Sequence, residues 1–423
     1  MFSILHRAIG FFTALLLLIP GAFPQERALL PKNANYEATA YGRAVQLSDS
    51  YYDQYFQPLF SHLSAQPYSF SHAYNWDAGG LLSLTSKLYA LDPDAYATRL
   101  RQVERTVERY RKVEGGCFAG YVAAWTPFTF MASRHHICYD DGMWVGREFA
   151  ELYDLTGSEK HKALAREVAD FSIADAWVDL PAEIFAAAGL PVPTEPVGGF
   201  YWDLEHDKVH TCSTAPAIQL LAMVYRITGV ERYLDYALRA YRLLPYLENE
   251  KGTFSDNIRF VKDEDNNILG WAGLDRAVYT YNSGSPIAAA VELYKATGDN
   301  VFLDDAFRWA ACADREFTRP GGAYIQQLHW FHLILMGGFA KLLEFDDSGD
   351  VAGYIAHMRG AFDYAYENYR SQGFSGVMEN RLPKSLVGGF EDNTDFRLSP
   401  LEPGAAAEVF AILALAEKRG LLG

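Results

Sequence analysis

From Glu37 onward apolar residues recur at helical spacing, and the pattern predicts about twelve helices separated by polar or glycine-rich breaks. They run from Glu37 to Leu63, Asn75 to Ala90, Asp94 to Val113, Asp140 to Leu155, Glu159 to Ala176 and Thr214 to Ile227. Six more run from Glu231 to Tyr246, Gly284 to Ala296, Val301 to Phe317, His329 to Phe345, Asp350 to Tyr369 and Gly404 to Lys418. They alternate in character. Those that follow long loops, such as the one containing Ile287-Ala288-Ala289-Ala290-Val291, are small and apolar on several faces, as a helix covered on two sides must be. Those that follow short links keep a charged face, as around Arg99, Arg101 and Glu104.

A repeat underlies the alternation. Leu152-Tyr153-Asp154-Leu155-Thr156-Gly157 is echoed by Val224-Tyr225-Arg226-Ile227-Thr228-Gly229 and by Leu293-Tyr294-Lys295-Ala296-Thr297-Gly298. Each glycine is placed to end a helix in the left-handed conformation. Six inner and six outer antiparallel helices, joined by alternating long and short connections, make an all-α (α/α)6 barrel. Every long loop then lies at one end, the mouth, together with the N-termini of the inner helices. The tight links at the other end give no reason to expect a site there.

The first residues add a targeting signal. His6 and Arg7 precede a short apolar run from Ala8 to Leu18, which reads as a secretory signal ending near residue 25 and leaving 26–423 as one domain. The expected location is therefore extracellular, with no membrane association once the signal is removed, and the expected state is monomeric. With 37 basic against 53 acidic residues, no footprint for nucleic acid is present. Cys117, Cys138, Cys212 and Cys312 match no zinc spacing, and export would permit disulfides among them.

Candidate chemistry gathers in the loops before inner helices. Tyr139-Asp140-Asp141-Gly142-Met143-Trp144 puts two carboxylates at a helix start, where neighbours project about 100° apart. An Asp at such a position is ordinarily a cap. A pair held together, however, splits in acidity under mutual repulsion and burial, as glycosidic bond cleavage by one acid and one nucleophile requires. Gly198-Gly199-Phe200-Tyr201-Trp202 offers close backbone approach and a flat ring for a sugar face, or equally a hairpin tip whose Trp covers the core. Tyr281-Asn282 and Trp76-Asp77 stand at other inner-helix starts, as substrate ligands or as caps. His135 and His136 read as loop packing, since no partner stands at metal-ligand spacing. No metal or cofactor is expected.

Tyr-Asp-Asp-x-x-Trp, then Gly-Gly-x-x-Trp, then Tyr-Asn-x-Gly ahead of a helix ending Leu-Tyr-x-x-Thr-Gly resembles glycoside hydrolase family 76, the endo-α-1,6-mannanases, over roughly Tyr74 to Asp305. The resemblance implies retaining hydrolysis of α-1,6-mannan, with Asp140 as nucleophile and Asp141 as acid/base. Trp76, Asp77, Tyr139, Trp144, Gly199, Trp202, Tyr281 and Asn282 would then contact an α-mannan chain or oligosaccharide. One departure is Ser213-Thr214, where the family often has Ser-Asn. Two other readings keep the same barrel. An unsaturated-uronide hydrolase would need cations in the mouth, for which Arg134 is the one candidate. A wall-mannan transglycosylase or binding protein would use the same groove without net hydrolysis.

Overall fold

The computed structural model describes residues 38–69, 71–124, 136–264, 267–372, 379–383, 386 and 400–423. The signal segment and the mouth-loop residues Trp125, Phe128, Phe130, Arg134 and His135 lie outside the described residues. Twelve long helices are present among those described: α1 Ala40–Tyr55, α2 Asn75–Leu91, α3 Pro93–Glu108, α4 Tyr139–Thr156, α5 Glu159–Phe171, α6 Thr211–Thr228, α7 Glu231–Tyr241, α8 Thr280–Thr297, α9 Asn300–Phe317, α10 His329–Leu342, α11 Asp350–Tyr369 and α12 Leu401–Lys418.

The even-numbered helices form a closed inner ring, α2 against α4, α4 against α6 and so on, until α12 packs back onto α2. Each odd-numbered helix covers one inner helix from outside, and α1 covers α12, so that the two ends of the barrel meet. This is the (α/α)6 barrel. Burial follows the ring. From Thr211 to Val224 every residue of α6 is buried, whereas only Tyr233, Ala237 and Ala240 of α7 are. Where two inner helices touch most closely, glycine is obligatory. A Cβ on Gly284 of α8 would lie 2.4 Å from the Ile334 carbonyl oxygen, and one on Gly338 of α10 would lie 2.6 Å from the Gly284 oxygen.

The Thr-Gly repeats end their helices alike. Gly157, Gly229 and Gly298 have φ of 66°, 68° and 73° and donate to the carbonyls of Tyr153, Tyr225 and Tyr294. The preceding threonine folds its hydroxyl onto a carbonyl of the last turn, Thr156 on Leu152 and Thr228 on Val224 at 2.6 Å. The same hydroxyls then accept the amides of Ser158 and Val230. A two-residue link thus leaves few stray polar groups.

Several helices stop earlier than their periodicity suggests. After α1 the chain turns through Pro58 and Ser61, so that β1 Phe56–Gln57 pairs with β2 His62–Leu63. After α3, glycines 115 and 116 at positive φ close a hairpin of β3 Arg111–Glu114 and β4 Cys117–Tyr121. Past α5 the chain continues as a π turn, Ser172–Ala176. The mouth loops also hold β5 Trp177–Leu180 paired with β6 Val197–Phe200, and a three-stranded sheet of β7 Lys208–His210, β8 Ser255–Lys262 and β9 Ile268–Val278. All of these elements precede inner helices. No helix among the described residues is long and apolar enough to cross a membrane, and all four cysteines carry free thiols.

Candidate active site

The first turn of α4 is fixed by its neighbours. Cys138 bridges Asp203 in antiparallel fashion, and the Tyr139 amide donates to the Trp202 carbonyl at 2.7 Å. This short pairing sets the segment after β6 against the head of α4, with the Trp202 indole beside Asp140. The Tyr139 ring is buried, and its hydroxyl donates to Asp175 at 2.5 Å and lies 2.8 Å from His206 Nε2. It anchors α4 to the π turn.

Asp140 lies in the first turn of α4, whose cap position is Cys138. Its Oδ1 accepts the Asp141 amide at 2.9 Å, while Oδ2 accepts the Trp202 indole N–H at 3.1 Å and the Cys212 thiol at 3.5 Å. Burial pushes its carboxyl up to about 6, a rise held back by the charge of His210 and by these three hydrogen bonds. Among the described residues, none forms a hydrogen bond with the Asp141 side chain to offset its burial. Its proton affinity is raised well above the ordinary range, first by desolvation, then by the charges of Asp140 and Asp77. The two neighbours therefore differ because they face different flanks of α4. Asp140 looks toward α6 and its donors, and Asp141 toward α2 and another acid. The surroundings thus favour the charge on the first and the proton on the second.

A second carboxylate supports the α6 flank. Asp256 on β8 accepts from Tyr281 Oη, Asn282 Nδ2 and Asn257 Nδ2, each at 2.9 Å, and lies 3.4 Å from His210 Nδ1. Burial opposes its ionisation, but the bonds from His210, Asn282 and Asn257 win and hold it well below the usual carboxylate range. The His210 ring lies 5.2 Å from that of Trp202. A fixed anion thus backs His210, and the charge of the protonated ring favours ionised Asp140.

The other expected positions separate by exposure. Trp76 is 38% exposed and Tyr74, beside it, 51%, so both rings face the mouth. Asp77 is buried, accepts the Tyr74 amide at 2.8 Å as a cap, and is pushed up to about 7, chiefly by desolvation. Trp144 lies inside the barrel, edge-on to Trp330 at 5.9 Å and under the Arg147 guanidinium at 4.4 Å. Gly199 is within β6, where a Cβ would meet Val209 at 2.7 Å and Leu243 at 2.8 Å; the close approach it permits is to the core. Asn282 is fully buried and spends its amide on Asp256. Tyr281 stacks on Tyr279 at 5.4 Å. Ser213 and Thr214 are buried and clamp β6, the former donating to the Phe200 carbonyl at 2.7 Å and the latter accepting the Phe200 amide at 3.3 Å. His136 is exposed, 3.9 Å from Asp203.

His210, Cys212, Asp256 and Tyr74 were not singled out from sequence. Only the place of His210 and Cys212 at the start of an inner helix could have drawn attention to them. Among the described residues, Asp203, Glu205 and Asp207 each bring one carboxylate oxygen within 4.8 Å of the others. Asp203 already accepts the Glu205 amide at 3.0 Å.

The chain is similar in fold to the family 76 mannosidase Bt3792 from Bacteroides thetaiotaomicron, with a TM-score of 0.72 at 22% identity over 90% of this chain and 99% of that one. It is similar to the GH76A α-1,6-mannanase from Salegentibacter sp. HEL1_6, with a TM-score of 0.69 at 20% identity over 89% of this chain and 99% of that one. An inactive variant of that mannanase, with two adjacent aspartates changed to asparagine, has been solved in complex with α-1,6-mannotriose. Mannan endo-1,6-alpha-mannosidase DCW1 from Candida glabrata is 24% identical over 132 residues, which are 30% of this chain and 29% of that protein. The sequence model of Glycosyl hydrolase family 76 matches residues 37–328, so the match spans more than half of the chain, and the protein belongs to that family.

Proposed function

We propose that the protein is a secreted glycosidase that hydrolyses α-1,6-mannosidic linkages in mannan with retention of configuration. The observation that carries this reading is the unequal pair at the head of α4. Asp140 is held by the Trp202 and Cys212 donors and favoured as an anion by His210, and Asp141 is raised by desolvation and by two neighbouring acids.

In this mechanism Asp141 protonates the glycosidic oxygen as Asp140 attacks the anomeric carbon from the opposite face, giving a β-mannosyl-enzyme. The leaving chain departs, Asp141 takes a proton from water, and the water releases an α-anomer. Retention fits the spacing, because adjacent Cα atoms lie only ~3.8 Å apart and short Asp side chains suit the separation of about 5 to 5.5 Å of a retaining pair. Trp76 and Tyr74 would offer their exposed rings to sugar faces.

Linear α-1,6-mannan is the test substrate. Proton NMR of the first product, read before mutarotation, is expected to show the α-anomer, and an initial β-anomer would remove Asp140 as nucleophile. Asp141→Ala should impair mannan far more than an aryl mannoside, whose leaving group needs little protonation, whereas Asp140→Ala should abolish both. Equal losses on the two substrates for Asp141→Ala would reject its role as acid.

A further inference from the structure

Exposed aromatic rings are concentrated in one segment. Among the described residues five Phe, Tyr or Trp side chains are exposed: Phe60 at 47%, Tyr68 at 68%, Tyr74 at 51%, Trp76 at 38% and, on α11, Tyr364 at 46%. The first four belong to the connection from α1 to α2 and the head of α2. This connection runs to the N-terminus of an inner helix, so it is part of the mouth. Apolar surface gathered in this way marks a place where something is bound.

The segment holds its rings in place. Just past α3, Arg109 donates to the carbonyls of Phe60 and Ser61, and Tyr110 donates to that of Ala73 at 2.9 Å. Two consecutive residues thus bind the chain at Phe60 and just before Tyr74, which brings both positions to one end of α3. Farther along, His62 Nε2 lies 3.1 Å from the Ser71 carbonyl, and the Ser64 hydroxyl donates to the Ser69 carbonyl. The Tyr68 amide donates to the Gln54 carbonyl in the last turn of α1 at 2.6 Å. Tyr68 follows Pro67 in a turn and has a φ of 52°, where glycine is the usual occupant and a bulky residue is strained. With its ring in water, it contributes little to the core in return.

The surroundings fit a neutral partner. Partial burial, then the charges of Asp53 and Glu379, push the Tyr68 hydroxyl up, and the chain as a whole has 53 acidic against 37 basic residues, so an anionic surface or polymer would be repelled. A sugar chain offers C–H faces that lie flat on aromatic rings. The exposed rings are also continuous with the catalytic mouth, since Trp76 adjoins Asp77, whose charge is felt by Asp141.

We propose that Phe60 and Tyr68 extend the mouth outward as a track for the distal units of a neutral α-mannan chain, continuous with Tyr74 and Trp76, so that the protein favours long chains over short substrates. The choice of mannan as the ligand rests on the proposed hydrolysis.

Both positions can be changed without harm to the core. Tyr68→Gly supplies the residue that the backbone prefers, and Phe60→Ala shortens a half-exposed side chain. kcat/KM of the wild type, each variant and the double variant is measured on linear α-1,6-mannan and on an aryl mannoside, whose one sugar ring occupies only the place beside Asp140 and Asp141. On mannan each single change is expected to lower it several-fold and the two together about tenfold, as loss of aromatic contacts implies, through a higher KM. On the aryl mannoside nothing should change. Unchanged rates on mannan would overturn the proposal, and so would an equal loss on both substrates, which would make the segment a support for the mouth. Retardation on native gels containing α-1,6-mannan reads binding without turnover, and the wild type should be retarded more than the double variant. A wild type retarded in this way that cleaves no mannan would reject hydrolysis and keep the track, whereas equal mobility of the two proteins would overturn the track whatever the rates.

Discussion

Asp140→Asn should make the protein inactive and, at neutral pH, more stable. Burial raises the carboxyl from its ordinary 3.8 to about 6, and at about 1.4 kcal/mol for each tenfold change in proton affinity the ionised form costs the fold about 3 kcal/mol. The sign follows from linkage. A carboxyl whose folded value exceeds its unfolded one destabilises the protein wherever it is ionised, fully above about pH 6, and the penalty fades as pH falls toward the unfolded value. Asparagine removes the charge at little change in shape. It cannot accept from both sides, however, because Trp202 and Cys212 donate to one oxygen and the Asp141 amide to the other; one of these bonds is lost at about 0.5 to 1.5 kcal/mol. The net gain is about 1.5 to 2.5 kcal/mol at pH 7.5, to be read as the difference in urea-unfolding free energy between variant and wild type. The same measurement at pH 4 should show the gain gone or reversed. A variant less stable than wild type at pH 7.5, or a gain that does not change with pH, would refute the claim that Asp140 is held ionised at the expense of the fold.

His210→Gln removes the charge that favours ionised Asp140, so the acid limb of the pH–rate profile should move upward by roughly half a unit to one unit; a profile with an unmoved acid limb would sever His210 from Asp140. Gly338→Ala drives a methyl to 2.6 Å from the Gly284 oxygen and should destabilise by about 2 to 4 kcal/mol through separation of α8 and α10, measured by chemical denaturation, while Gly337→Ala, with open space, should be neutral or slightly stabilising. Chelation with EDTA should leave the rate on α-1,6-mannan unchanged, as carboxylate chemistry needs no ion; a loss restored by added calcium or zinc would give the trio Asp203, Glu205 and Asp207 a role the mechanism lacks.

The barrel was legible because its signals are local. Three Tyr-x-x-Thr-Gly endings report helix C-termini within six residues, and in the structure each glycine carries the left-handed φ that a C-cap needs. Helix ends were less legible where a strand takes over. The apolar stripe runs through Phe56 without marking that Phe56–Gln57 leaves the helix to pair with His62–Leu63. The three-stranded sheet was missed altogether, since β8 inserts Ile258 and Phe260 into the core while Arg259 and Val261 face solvent, a short alternation inside a loop. With that sheet went Asp256. Its partners Asn282 and Tyr281 were visible as polar and aromatic residues at a helix start, but the anion they hold comes from another element, 25 and 26 positions away.

Adjacent aspartates at a helix start are chemically alike, and nothing in the pair itself decides which one ionises first. The asymmetry comes from the ring. Because α4 stands between α2 and α6, a rotation of about 100° between consecutive residues turns one carboxyl toward each neighbour. The α6 side brings Cys212 and, through the backbone pairing of Cys138 with Asp203, the indole of Trp202. The α2 side brings Asp77, itself a cap that retains one unpartnered oxygen. Reversing the assignment would need a donor on α2, so Asp77→Asn is the discriminating change. It removes a neighbouring negative charge from Asp141 and should lower the proton affinity of that residue, moving the alkaline limb of the mannan profile downward while leaving the acid limb in place. Movement of the acid limb alone would mean that Asp77 acts on the nucleophile, and that the acid and the nucleophile had been exchanged.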